Sequence, residues 1–232
     1  MGMAALRESA LRADQVAQLT RLRTQIGQMQ RRTATPDRLA VPSALAPLFP
    51  GGGLRPGAAY ALPDSASLVL ALLGETSRRG SWCAAVGLPD LSAEAGAGHG
   101  VDPQRIALIP RPGDRWISAT ASAAEVFPLV AVRPPRRASS GEVQRLDARL
   151  RDRGSALLVV GPWPGAEASL AMNTPEWSGL GRGRGLLTSR SVTIAARGRQ
   201  MPHPRTVRVL LPGPSGSVEA VPERRRLQAV AS

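Results

Sequence analysis

The chain has 232 residues, 43% of them hydrophobic, and a formal net charge of +13. That length can bury one sizeable core and is short for two, so one domain with tails is expected. A single cysteine, Cys83, excludes an internal disulfide and fits a reducing cytoplasm, and with only His99 and His203 beside it no His/Cys metal site can be assembled.

From residue 4 to 32 there is no proline and one glycine, and Val16, Leu19, Leu22, Ile26 and Met29 recur at helical spacing between arginines and glutamines. The spacing predicts an amphipathic helix whose apolar stripe has to be covered, on its own core or on a partner. Glu8 and Asp14 interrupt the start, so no secretory segment is expected there, and the longest apolar run, 68–73, is too short to span a bilayer. Residues 33–50 carry Pro36, Pro42, Pro47 and Pro50 and predict an extended linker or edge segment. Residues 1–50 are thus expected to form a helical arm and linker.

The core is expected over 51–214, after Gly51-Gly52-Gly53. Apolar runs at 58–62, 82–87, 106–109, 129–132 and 156–160 predict strands covered on both faces. Helical patterns lie between them at 65–79, 117–126 and 140–153. In the last of these Ser139 and Glu142 form a capping box, Val143, Leu146 and Leu150 make one face, and Gly154 is the stop. Alternation of strand and helix predicts an α/β fold with a doubly wound, mostly parallel sheet. Residues 191–197 and 206–211 alternate with period two and predict antiparallel strands at one edge. From 215 to 232 the chain is polar, carries Arg224, Arg225 and Arg226, and reads as a flexible basic tail.

The turn between the first strand and its helix is where a phosphate-binding loop belongs, because backbone N–H groups at a helix N-terminus and a lysine together hold phosphates. Here it runs Leu62, Pro63, Asp64, Ser65, Ala66, Ser67, Leu68, Val69, and all 30 basic residues of the chain are arginine, so no lysine exists to serve. The glycines at 179, 181, 183 and 185 lack dinucleotide-binding spacing. A stretch with Arg182 and Arg184 reads as a basic loop on a phosphate backbone, with Trp177 for stacking and Arg190 beside it, or as a solvated turn. DNA contact through it is expected to be weak, sequence-independent and salt-sensitive. Arg111 and Arg115, and the cluster Arg133, Arg136 and Arg137, stand at strand ends where α/β folds place ligands, and either bind an acidic partner or are solvated.

The set formed by Gly51-Gly52-Gly53-Leu54, Gly57, Pro63-Asp64-Ser65, Gly100-Val101-Asp102-Pro103, Val130-Ala131-Val132 and Gly161-Pro162-Trp163-Pro164-Gly165 resembles the core of RecA-like ATPases. More narrowly, it resembles the actinobacterial ImuA-prime mutagenesis accessory family. The resemblance implies a RecA-like fold, with strand 129–132 in the Walker B place and the Gly-Arg stretch at the second DNA loop. Against that pattern, Arg133 stands where the Walker B strand would end in aspartate, and Asp90 is the one acid left near the catalytic-glutamate place. The resemblance therefore implies a pseudo-ATPase with no cofactor that serves error-prone translesion synthesis as an adaptor. Its implied partners are an ImuB-like Y-family polymerase homologue, through it an error-prone replicative-type polymerase, and a second copy of itself by way of the arm. Two alternatives stand beside it: a working ATP-binding paralogue acting on DNA, and a SulA-like inhibitor of cell division.

Overall fold

The computed structural model describes residues 37–173, 175–179, 187 and 189–221. The arm with Val16, Leu19, Leu22, Ile26 and Met29, the arginines Arg182 and Arg184, and residues 222–232 lie outside the described residues.

The first described elements correct the linker expectation. Strand β1 (Leu39–Ala40) pairs antiparallel with β2 (Gly53–Leu54), and Leu39, Val41, Leu45, Leu48 and Phe49 are buried in the main apolar cluster. The prolines do not hold this segment away from the sheet. Pro47 and Pro50 sit inside single 3-10 turns, where fixed φ and a missing N–H cost nothing, and the turns aim the leucines inward. Phe49 meets Tyr60 edge-on, at 5.6 Å between ring centroids. The packed unit therefore begins well before Gly51.

Five parallel strands follow: β3 (Ala59–Leu62), β4 (Cys83–Val86), β5 (Ile106–Ile109), β6 (Leu129–Val132) and β7 (Ala156–Val160). Helices α1 (Ala66–Arg78), α2 (Ala93–Gly98), α3 (Trp116–Val126) and α4 (Ser140–Arg153) connect them. Then come β8 (Ala168–Met172), β9 (Glu176–Ser178), β10 (Ser189–Gly198), β11 (Arg205–Leu210) and β12 (Glu219–Ala220). Along the sheet the order is β12-β11-β10-β8-β3-β7-β6-β4-β5, with β9 added on β10. β8 is parallel to β3, and everything beyond it is antiparallel. The α/β architecture, a mostly parallel sheet with antiparallel strands at one edge, is the one the sequence pattern predicts.

Period-two alternation sorts the strand residues into two cores. On β4, Cys83 and Ala85 join the cluster containing α1, while Ala84 and Val86 join the one containing Trp116, Val143, Leu146 and Leu150. Both faces are covered, so near-continuous apolar strands cost nothing in solvation. β5 is the exception. It lies at the sheet edge with one neighbour, and Leu108 is 51% exposed, so the expectation that it is covered on both faces fails there. The tail boundary also moves: β12 pairs with β11 and Val218 packs against the core, which extends the ordered unit past 214.

Close approach of helices sets one residue identity. A Cβ on Gly74 of α1 would lie 2.0 Å from the carbonyl oxygen of His99 at the end of α2, so only glycine lets the two elements meet.

Candidate functional site

The carboxyl ends of β3, β4 and β6 carry the positions that a nucleotide would need. At β3 the chain turns through Pro63 and Asp64, and Ser65 caps α1, accepting a hydrogen bond from the Leu68 N–H at 3.4 Å. Leu68 and Val69, the positions of a phosphate-binding lysine and a magnesium-binding hydroxyl, are fully buried in the core. The helix start is therefore anchored by apolar packing.

Arg133 leaves the end of β6 and reaches back across the sheet end. Its Nη2 donates to Asp64 Oδ1, and its Nη1 lies 3.8 Å from Asp90 Oδ2 in the loop after β4. Three remnants of the expected pattern, the phosphate turn, the Walker B terminus and the acid after the second strand, are thus joined by one guanidinium. Both carboxylates are largely exposed, so such pairs contribute about 0–1 kcal/mol each and do not hold the fold. Their consequence is occupancy. A cation stands where magnesium would need an anion, and Asp64 stands where phosphate oxygens would need donors. The residues present do not fit a magnesium–triphosphate group. Gly87 makes the crossing possible: its φ is +68°, and a Cβ there would lie 2.4 Å from the Arg133 carbonyl oxygen.

The other arginines divide by partner. Arg136 donates to both oxygens of Glu142, at 2.9 and 2.7 Å, and its guanidinium lies 6.0 Å from the centre of the Trp116 ring. That pair and the Ser139 N–H hold the Glu142 carboxyl down at about 2. Arg136 is therefore spent on the start of α4, not offered to a ligand. Arg111, after β5, forms no ion pair among the described residues.

Trp177 on β9 is 50% exposed, as a stacking residue would need, but one face is covered by Arg190, whose guanidinium lies 5.5 Å from the ring centre. Arg190 also donates from Nε to the Leu211 carbonyl at 2.5 Å, and burial pushes its pKa down. Of its groups, Nε and one face are used within the sheet, while the buried Nη2 has no hydrogen-bond partner among the described residues. Neighbouring Arg208 pairs with Glu176 at 2.8 Å. The Asp64–Arg133–Asp90 triad was not visible in sequence, because each residue reads alone as a broken motif and their meeting depends on which strands are neighbours. Trp163 is buried and donates from Nε1 to Asp147 at 3.2 Å, pinning the loop after β7 to α4.

No helix among the described residues is long and apolar enough to cross a membrane.

Comparison with known proteins agrees with this architecture. The chain is 31% identical over 169 residues to Rv3395c, an uncharacterized protein of Mycobacterium tuberculosis strain H37Rv, covering 68% of this chain and 83% of that one. Among solved structures, the RadB recombinase superposes with a TM-score of 0.56 at 18% identity, over 78% of this chain and 98% of that chain. The flagellar accessory protein FlaH from Methanocaldococcus jannaschii gives 0.47 at 11%, over 75% and 92%. The RadB likeness establishes a RecA-like fold and nothing about activity. Residues 47–165, about half the chain, match the model of the MT3502 N-terminal domain, and the chain belongs to that family.

Proposed function

We propose that this chain is a non-catalytic RecA-like accessory protein, an adaptor of the ImuA-prime kind in DNA-damage-induced mutagenesis. The observation that supports the reading is the Asp64–Arg133–Asp90 triad, one guanidinium paired with carboxylates after β3 and β4 at the carboxyl ends of the sheet. A fold kept while its chemistry is replaced is useful for its surfaces. The partner is then an ImuB-like polymerase homologue, reached through the arm, with an error-prone replicative-type polymerase beyond it.

The stripe of Val16, Leu19, Leu22, Ile26 and Met29 supports this reading, since burying each large side chain contributes roughly 1.5–3 kcal/mol before ordering costs. Changing Leu19, Leu22 and Ile26 to aspartate is expected to abolish co-purification with the polymerase homologue and self-association, while the cooperative melting transition survives. Normal assembly of the triple variant would contradict the reading. Loss of the transition would instead place the arm in the core.

A further inference from the structure

We propose that the cleft at the carboxyl ends of β4, β5 and β6 is a docking site for a short acidic peptide segment of a protein partner. It measures about 230 Å³ and lies between Pro89, Pro110, Arg111, Pro112, Arg133 and Pro135. The inference takes the existence of a partner from the adaptor reading, but it concerns a different surface from the arm and holds whether or not ATP is bound.

The walls are built on the sheet. The Gly87 N–H donates to the Ile109 carbonyl at 2.9 Å and the Arg133 N–H to the Val86 carbonyl at 3.0 Å, extending the ladder one residue past each strand. Beyond those bonds come prolines, which fix φ and offer no N–H. A rigid wall of this kind loses little conformational entropy when something binds, and it presents apolar rings rather than donors. Gly113, at φ +56°, has nothing within 4 Å of where its Cβ would be, so that side stays open.

Charge and size select the occupant. No carboxylate lines the cleft, and its ionisable groups are Arg111 and Arg133. Arg133 is paired with Asp64 and Asp90, while Arg111 finds no acceptor among the described residues. An approaching carboxylate would therefore meet the unpaired guanidinium of Arg111, the charge of Arg133 being already offset by Asp64 and Asp90. The volume falls below the roughly 300–1,000 Å³ usual for small-molecule sites and suits one side chain of a peptide with its flanking backbone. No nucleophile or acid–base group faces it, so the site binds and does not react. DNA needs cations spaced along a strand, and a proline-walled hollow with two arginines does not supply them. An apolar or aromatic side chain between acidic neighbours matches both the rings and the charge.

The test is selection of a phage-displayed library of short random peptides on the immobilised full chain, followed by fluorescence polarisation with the most enriched peptide labelled. Enriched sequences are expected to carry Asp or Glu beside Trp, Phe or Leu. Their affinity should fall about tenfold or more in Arg111→Glu. Arg111 is exposed, so the variant should keep the parent melting temperature. Arg199→Glu makes the same charge change on the exposed turn after β10 and should leave affinity unchanged. The proposal is overturned by no enrichment, by peptides that bind Arg111→Glu as well as the parent, or by equal weakening in Arg199→Glu, which would signal net charge alone. It is also overturned if a thymidine oligonucleotide binds with the same dependence on Arg111 and displaces the peptides. Because selection does not involve the arm, its failure leaves the co-purification result standing, and the reverse also holds.

Discussion

His99 is 4% exposed, and its Nδ1 has no hydrogen-bond partner among the described residues. Burial first, then the positive charges of Arg78 and Arg190, pushes its pKa below the ordinary 6.5. The unfolded chain therefore takes up a proton that the folded one resists. Stability is full above pH 6.5 and is lost as pH falls below it toward the lowered folded value. A melting temperature that declines between about pH 7.5 and about pH 5.5 is expected, with a flatter curve in His99→Gln. An equally steep curve in the variant would assign the decline to other groups. Glu142 titrates far below this window, its carboxyl being held at about 2, and its contribution is lost only as pH falls from the ordinary 4.5 toward that value. Nothing in the sequence marks His99 as buried, because it sits among glycines in a segment without periodicity.

At the scale of elements, Gly74 separates propensity from packing. Helix propensity alone predicts that Gly74→Ala stabilises α1, by about 1 kcal/mol. The new Cβ would lie 2.0 Å from a backbone oxygen of His99, which cannot swing aside as a flexible side chain could. Overpacking of this kind costs typically about 1–3 kcal/mol, so a net loss of stability is expected on chemical denaturation. A stabilised variant would mean that α2 yields readily. The same helices show what was legible beforehand. α4 was readable to the residue, because Ser139, Glu142 and Gly154 signal its ends and Val143, Leu146 and Leu150 its buried face. α2 was not: its sequence, Ala-Glu-Ala-Gly-Ala-Gly, is short, has no apolar stripe and sets two glycines against its helix-favouring Ala and Glu, and it forms where Ser92 caps it and the Gly96 carbonyl accepts from the Val101 N–H at 2.8 Å. Residues 39–50 misled because proline spacing resembles a linker, while the leucines between the prolines serve the core.

Across the whole molecule, the order of the parallel strands decides what the broken motifs mean. Asp64, Asp90 and Arg133 are far apart in sequence, and β4, β6 and β7 lie side by side before β3 is reached, so only the assembled sheet brings the three side chains to one place. The absence of phosphate-binding glycines and of lysine was legible in the residues themselves; the meeting of Asp64, Arg133 and Asp90 was not. The fold class was legible because apolar runs and helical patterns alternate over most of the chain. At the carboxyl ends of β4, β5 and β6 the sheet carries a proline-walled cleft. The central claim is that this RecA-like fold works without nucleotide. Isothermal titration calorimetry of the full chain with ATP and magnesium tests it most directly. The account predicts no saturable heat and an affinity weaker than about 1 mM. Saturable binding in the micromolar range, weakened when magnesium is withheld, would contradict it.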